Sequence, residues 1–400
     1  MTTPAELYRN AVDLNRFSNG VARQIAATYN DAVLEVLNQL AGLDADTAPV
    51  KAARLRALFA QLQGSLDNWA GQSTELMIEQ MQGLTELQTE FVATELREVL
   101  PESAAQQVKS VRVSPEYARS VATTDPMKFN FVALSDDLEA VVTGAPQVAQ
   151  LTAAKGTSIV LPNGRSLQQS FKVLAQVNVD TFNREVRNGL LIGESPDKIA
   201  RRLKGRLRQG QTGSVKQLAQ KGGQLTARAN REVSTLVRTS MNQVANAASQ
   251  QVYQANQDVT KKYRYVATLD GRTSPICRSL DGREFRYGKG PQPPQHFNCR
   301  STTVPVVDYK GLGLSAPPPG RRKAAQGTVP ANQTYGQWLF DQSKADKEKI
   351  LGGKRRAAYF NKLSRKMGPS EAIRRFVKDD GSEVTLEYLR NEYGDVRIGK

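Results

Sequence analysis

One histidine and two cysteines constrain this 400-residue sequence most, because they stand close together. His296 is the only histidine, and it lies three positions before Cys299. The other cysteine, Cys277, belongs to the same segment. Thiolate and imidazole are the ligands that zinc prefers in structural sites, which normally have four of them. The sequence therefore predicts a zinc site at Cys277, His296 and Cys299, with Asp270 as the nearest fourth ligand and water as the alternative.

Two other interpretations of these residues stay open. Without a metal, the cysteines would be buried thiols and His296 would hydrogen-bond a turn backbone; a disulfide is disfavoured, because two cysteines in so long a chain fit a reducing compartment. A three-ligand zinc with an open position is typical of hydrolases, for which Asp281 and Glu284 could serve as general base. Acidic residues at turns mostly stabilise the turn and have no catalytic role. We expect no enzyme.

Turn and strand signals alternate around the cysteines over residues 263–307, a segment that we call the Cys/His knuckle. Aromatic and β-branched residues predict short strands over 263–268, 284–287 and 301–307. Asp-Gly pairs at 270–271 and 281–282 predict turns between them. A long helix over 232–257 is predicted to lead into the knuckle.

The knuckle resembles the signature of the phage Mu F-like minor head protein, or head morphogenesis, family. The resemblance rests on LDGRTSPICRSLDG at 269–282, PPQHFNCR at 293–300 and LVRTS at 236–240, and more weakly on residues 338–352. It implies a structural motif made of Arg238, Asp270, Arg272, Thr273, Pro294 and Arg300, in which Arg238 anchors the domain. From the residues alone, Arg238 would be a surface cation. Many relatives carry further cysteines at the positions of Ser274 and Ser301.

The same resemblance implies a function in a tailed bacteriophage. It predicts a minor head protein that joins the procapsid near the portal vertex and acts in head morphogenesis and in DNA packaging or ejection. Expected partners are the portal protein, capsid or scaffold proteins and double-stranded DNA, with no membrane and no small-molecule substrate. The expected location is the virion, after the host cytoplasm. A zinc-dependent, nuclease-like DNA-processing enzyme and a free non-specific DNA-binding protein are the alternatives.

Charge is distributed unevenly along the chain. Residues 1–100 carry 13 acidic and 7 basic side chains, whereas residues 101–400 carry 26 acidic and 48 basic ones. The stretch 201–231 has no acidic residue, and its glycines predict a loop. Its cations either stay solvated or bind DNA phosphates without sequence preference. The predicted DNA-binding residues are Arg201, Arg202, Lys204, Arg206, Arg208, Lys216, Lys221 and Arg228.

The first hundred residues are predicted to form three amphipathic helices, with a break at 42–49 and the third helix over 74–100. Their apolar stripe, with Met77, Met81, Leu84, Leu87 and Phe91, is either the core of a helical hairpin or a docking surface for a partner protein. In the docking interpretation, residues 1–100 attach to protein, residues 101–400 contact DNA, and a fragment without 1–100 stays soluble.

The predicted fold class is mainly α. It has a helical N-terminal arm, a small α+β module that contains the knuckle, and a small helical C-terminal tail. The predicted regions are 1–101 (acidic, helical), 102–200 (mixed), 201–231 (basic loop), 232–310 (Mu F-like module), 311–331 (exposed Pro/Gly linker) and 332–400 (basic, helical). Length predicts two or three domains. Since no run of 18 apolar residues occurs, we expect a soluble chain.

Overall fold

The computed structural model describes residues 5–45, 48–123, 148–151, 161–318 and 320–394, and shows the predicted, mainly helical protein. Two long helices begin it, α1 at Ala5–Ala41 and α2 at Ala48–Val99, joined through a 3-10 turn at Gly42–Ala45. The break over 42–49 is thus confirmed. The two helices predicted after it are a single one. Gly71 costs an α-helix only about 1 kcal/mol, and the indole of Trp69 holds α2 on α1 by donating to Ile25 O at 3.1 Å.

Short elements follow α2. They are α3 (Glu102–Ala105), β1 (Ser110–Val113), α4 (Tyr117–Thr123) and β2 (Val148–Leu151), and β2 pairs in parallel with β1. The residue types over 157–163 predict a short strand followed by a turn. Residues 157–160 lie outside the described part of the chain, and Leu161 begins a turn that Gly164 closes.

The middle of the chain is more helical than its glycines suggest. Its helices are α5 (Leu167–Leu191), α6 (Pro196–Lys204), α7 (Val215–Lys221) and α8 (Thr226–Ala255). The predicted basic loop over 201–231 is therefore wrong for most of its length. Ser195 and Ser214 cap α6 and α7, which satisfies free amides at the helix starts. Ser195 followed by Pro196 is a sequence pattern that predicts a helix start, and α6 begins at Pro196.

One core joins the N-terminal helices to these central helices. It contains buried residues of α1, α2, α5, α6, α7 and α8 and reaches Tyr263. Met77 and Met81 are fully buried in it, whereas Leu87 is 68% exposed. The apolar stripe of α2 is thus mostly core, and the interpretation of residues 1–100 as a free docking arm is wrong.

The knuckle contains a three-stranded antiparallel sheet with the order β4-β3-β5. Its strands are β3 (Thr260–Val266), β4 (Glu284–Arg286) and β5 (Thr302–Val307), close to the predicted ranges. A short helix, α9 (Pro275–Leu280), lies between β3 and β4. Helix α8 supports β5, because Gln250 Nε2 donates to Thr303 Oγ1 at 3.0 Å and Tyr253 OH to Thr303 O at 3.1 Å.

The C-terminal region begins with a hairpin and continues in helices. The hairpin pairs β6 (Arg321–Ala324) with β7 (Gly327–Pro330). The helices are α10 (Tyr335–Phe340), α11 (Lys344–Leu351), α12 (Lys354–Met367), α13 (Pro369–Arg374) and α14 (Leu386–Tyr393), which share a second core with Leu269. The prediction of an exposed linker over 311–331 is wrong at Arg322. This side chain is buried, because it pairs with the buried carboxylate of Asp281.

Candidate metal centre

Three side chains of the knuckle meet at one point. Cys277 Sγ lies 3.7 Å from Cys299 Sγ and 3.4 Å from His296 Nε2. Both cysteines are buried and reduced, and His296 is partly buried. The ligand atoms of all three residues lie within 4.8 Å of one another. The structure thus brings together the three ligands that the sequence predicted.

These distances fit a tetrahedral ion. Zinc binds sulfur at about 2.3 Å and nitrogen at about 2.0–2.1 Å, so tetrahedral ligands stand about 3.7 Å apart for S–S and about 3.5 Å apart for S–N. Ser274 Oγ lies 2.7 Å from His296 Nε2. Two ligands of one zinc would be separated there by about 3.3 Å. Ser274 is therefore placed as a hydrogen-bond partner of the ring and as the N-cap of α9.

The ring of His296 is oriented by the backbone. Its Nδ1 lies 2.8 Å from Phe297 O, so Nδ1 carries the proton that this carbonyl accepts. Nε2 then keeps its lone pair, which is the arrangement found in metal-binding histidines. The hydrogen bond with Cys299 raises the pKa of His296.

The two thiols differ in acidity because they share a proton. The hydrogen bond from Cys277 holds the pKa of Cys299 well below its usual range, although burial opposes ionisation. The hydrogen bond with Cys299 and burial raise the pKa of Cys277. Tyr265 OH lies 3.2 Å from Cys277 Sγ, a contact that sequence reasoning missed. A thiolate at Cys299 beside a neutral imidazole is a ligand pair that suits zinc.

Asp270 is not a ligand, contrary to the prediction. Arg300 donates to both of its carboxylate oxygens, at 2.6 and 2.8 Å, and the amide of Arg272 donates to Oδ1 at 2.9 Å. Burial opposes ionisation, but the pairing with Arg300 outweighs it and lowers the pKa of Asp270. Asp270 instead ties the turn before α9 to the loop that carries Cys299. Cys277 and Cys299, two of the candidate ligands, are positioned in this way.

Comparison with known protein families gives one match. Residues 180–304 match the family described as Phage Mu protein F like protein. These residues are similar to that family, and we call them the Mu F-like domain. The match supports a phage protein of head morphogenesis. No curated protein and no solved structure gives a significant match to the chain.

The Mu F-like domain begins earlier than the module predicted at 232–310. It includes the second half of α5, all of α6 and α7, and the whole basic stretch, and it ends within β5. Among the described residues, no helix is both long and apolar enough to span a membrane.

The remaining motif residues of the Mu F-like domain have structural contacts. Arg238 is half-buried, and its Nε donates to Asn19 Oδ1 of α1 at 2.7 Å, which is a contact between α8 and α1. Thr273 Oγ1 donates to Thr268 O, and Thr273 O accepts from Arg278 Nε at 2.6 Å. Pro294 follows a cis peptide bond after Pro293. Arg272 is 83% exposed and lies 3.6 Å from Asp270.

Neither candidate general base is available to a metal. Asp281 is fully buried against Arg322, and Glu284 pairs with Arg264 at 2.8 Å. The cavity beside Cys277 and His296 has a volume of about 20 Å³. One water molecule needs about 10–15 Å³ of such space, whereas small-molecule sites have about 300–1,000 Å³. A single water as fourth ligand fits this cavity, and Cys299 also lines a larger cavity of about 340 Å³.

Several cations of the basic stretch 201–231 already have partners in the folded protein. Arg202 pairs with Glu185 at 2.6 Å and with Glu194 at 3.1 Å, Arg228 pairs with Glu232 at 2.7 Å, and Arg201 pairs with Asp197. Lys204 Nζ donates to Asn38 Oδ1 of α1 at 2.9 Å. All four acids lie outside 201–231, which is why the stretch itself seems unpaired.

Residues 206–221 form a closed loop that we call the basic lobe. Arg206 N donates to Lys221 O at 2.7 Å, which closes it. Gly205, with φ +64, packs so closely at this neck that a Cβ would lie 2.5 Å from the carbonyl carbon of Gly222. Arg206, Arg208, Lys216 and Lys221 are exposed and make no ion pair with any residue that the structure describes. They are the unpaired part of the predicted DNA-binding set.

Proposed function

We propose that this chain is a minor head protein of a tailed bacteriophage. It joins the procapsid near the portal vertex, assists head morphogenesis and DNA packaging or ejection, and resides in the virion. The match of residues 180–304 to the Phage Mu F-like family carries the proposal. The resemblance of the knuckle and the formal net charge of +16 support it, because such a protein works among phosphates at high density.

The basic lobe supplies the DNA contact in this proposal. Its four exposed cations have no carboxylate partner among the described residues, so all four charges are available to pair with a polyanion. None of the lobe's features suits base recognition, since a seven-residue helix and glycine turns carry its cations. Binding is therefore sequence-independent and driven by release of counterions from DNA.

A structural zinc held by Cys277, His296 and Cys299 completes the proposal. The ion would cross-link α9 to the loop before β5, and its binding free energy would add to the folding free energy of the knuckle. The distances among the three ligand atoms and the orientation of the His296 ring support it. Water would occupy the fourth position.

The structure offers less support for a zinc-dependent nuclease. Such an enzyme needs a general base and a substrate cleft at the metal. Both acidic candidates are engaged in ion pairs elsewhere, which leaves neither of them as a general base at the metal. A structural role for the ion is the function that this geometry favours.

Assembly of procapsids tests the proposed function. We expect the tagged full chain to co-purify with the portal protein of the same phage and to enter its procapsids. A variant in which Arg206, Arg208, Lys216 and Lys221 are glutamine should still enter procapsids, because it lacks only the DNA contact. A chain that binds DNA but is retained by neither portal nor capsid would be a free DNA-binding protein, which refutes the proposal.

A further inference from the structure

A cavity of about 340 Å³ lies between α1, α8 and the loop that precedes β5. Three arginines of the Mu F-like domain line it together with amides and a hydroxyl, and the polar lining residues are Asn15, Ser18, Asn19, Arg238, Asn242, Arg272, Asn298 and Arg300. Leu14 and Cys299 complete the lining, all of which lies in the described part of the chain. No acidic side chain is among these ten residues.

Arg238 is only partly satisfied in this cavity. Its Nε donates to Asn19, but its two terminal nitrogens make no hydrogen bond or ion pair with any described residue. The side chain is half-buried. Burial lowers the pKa of Arg238, and the positive charges of Arg272 and Arg300 lower it further. A guanidinium in this position loses hydration and gains only one hydrogen bond in return.

The arginines outnumber the carboxylates that could neutralise them. Among the residues that the structure describes, Asp270 is the one acid paired with these arginines, and it binds Arg300 in bidentate fashion and Arg272 at 3.6 Å. Three guanidiniums, the carboxylate of Asp270 and the thiolate of Cys299 leave a local charge of +1. Arg238 and Arg300 are partly buried, so an anion that enters the cavity stabilises this excess positive charge.

We propose that this cavity binds a phosphate group between Arg238, Arg272 and Arg300. Guanidinium groups pair with phosphate oxygens through parallel N–H donors, and the amides of the lining add further donors. The volume lies at the lower end of the range for small-molecule sites, about 300–1,000 Å³. A phosphate with an attached sugar fits, either as a backbone phosphodiester of DNA or as a free phosphate or mononucleotide. The site goes beyond the proposed head function and does not depend on it.

Titration of the full chain with inorganic phosphate tests the site. Binding is measured by calorimetry, with sodium chloride added to hold the ionic strength constant. We expect saturable binding that Arg272→Gln weakens about tenfold or more, since a hydrogen bond to a charged group contributes about 1.5–3 kcal/mol. Arg272 is exposed enough that its loss should leave the fold intact. Arg286→Gln, an exposed cation on β4, is the matched control and should keep the wild-type Kd.

Arg238→Gln should abolish phosphate binding. If the Arg238→Gln protein unfolds because it loses the contact with Asn19, the phosphate affinity of Arg272→Gln still tests the site. Competition identifies the source of the phosphate: displacement by a short oligonucleotide indicates the DNA backbone, and displacement by a mononucleotide alone indicates a free ligand. Equal phosphate affinity of wild type, Arg272→Gln and Arg286→Gln, or no saturable binding, overturns the proposal. Procapsid entry of the Arg272 variant reports separately on the head function.

Discussion

Arg322 pairs with Asp281 across 41 residues of sequence, and both side chains are buried. Arg322 Nη2 lies 3.1 Å from Asp281 Oδ1. The same carboxylate accepts from the amides of Ala267 and Tyr335, both at 2.6 Å. One buried carboxylate therefore joins β3, the β6–β7 hairpin and the start of α10. It couples the Mu F-like domain to the C-terminal helices.

Breaking this pair should destabilise the protein strongly. We expect Asp281→Asn and Arg322→Met each to lower the free energy of unfolding by about 3–5 kcal/mol, because each leaves a buried charge without its partner. Urea denaturation measures the loss. Arg321→Gln, at the exposed neighbouring position, should change the stability by less than about 0.5 kcal/mol. A wild-type stability for Asp281→Asn would mean that the pair does not hold the two regions together.

Two apolar residues of the predicted stripe on α2 should behave differently. Met81 is fully buried against the central helices, and we expect Met81→Ala to cost about 2–5 kcal/mol. Leu87 is 68% exposed, so Leu87→Ala should cost less than about 0.5 kcal/mol. Denaturant unfolding compares the two. If Met81→Ala leaves the free energy of unfolding unchanged, the N-terminal helices do not form a common core with the central helices, and residues 1–100 can serve as a separable arm.

Glu95 should make stability depend on pH. Burial, and then repulsion by Glu98 and Glu6, raises its pKa to about 7, and its Oε2 has no hydrogen-bond partner among the described residues. The folded state therefore holds a proton that the unfolded state releases at about pH 4.3. The contribution of this proton to the free energy of unfolding is fully present below about pH 4.3 and is lost as the pH rises towards 7.

Removing the charge of Glu95 should remove this effect. We expect Glu95→Gln to raise the melting temperature at pH 8 and to leave it nearly unchanged at pH 4.5. Glu90→Gln, at an exposed position of the same helix, serves as the control. Thermal unfolding at both pH values measures the difference. A Glu95→Gln variant that is no more stable than wild type at pH 8 would contradict the expectation.

Zinc should co-purify with the chain at about one equivalent. We expect Cys299→Ser to lose the ion and to melt at a lower temperature, because the binding free energy contributes to folding. Ser274→Ala should keep the ion, since Ser274 Oγ lies too close to His296 Nε2 to share it. Metal analysis with thermal unfolding provides both readouts. A metal-free wild-type protein that melts like Cys299→Ser would exclude the site.

Replacing the four cations of the basic lobe by glutamine should weaken DNA binding equally for all duplex sequences. The slope of log K against log salt should fall by up to about 0.9 for each lost phosphate contact. A double variant of Arg201 and Arg228 should change it less, because carboxylates already pair with both. Binding at several salt concentrations measures the slopes. An unchanged slope would assign DNA contact to another surface, for which the start of α12 at Lys354–Arg356 is the best candidate.

Local features of this protein were determined by the sequence itself. The strands of the knuckle, the caps of α6 and α14 at Ser195 and Thr385, and the break after α1 follow from residues a few positions apart. The three metal ligands were also evident, because the only histidine and both cysteines lie in one short segment. Such features depend on turn geometry and helix capping, which need no distant partner.

Tertiary structure alone decided which partner each charged or apolar side chain has. Arg300 occupies the carboxylate of Asp270, which the sequence predicted as the fourth metal ligand. Arg322 is buried on Asp281 although its neighbours are typical of an exposed linker. Acids outside the basic stretch neutralise three of its cations, and α5 and α8 cover the stripe of α2. The physical reason is common to all: desolvation and pairing energies depend on contacts between residues far apart in sequence, which local patterns do not specify.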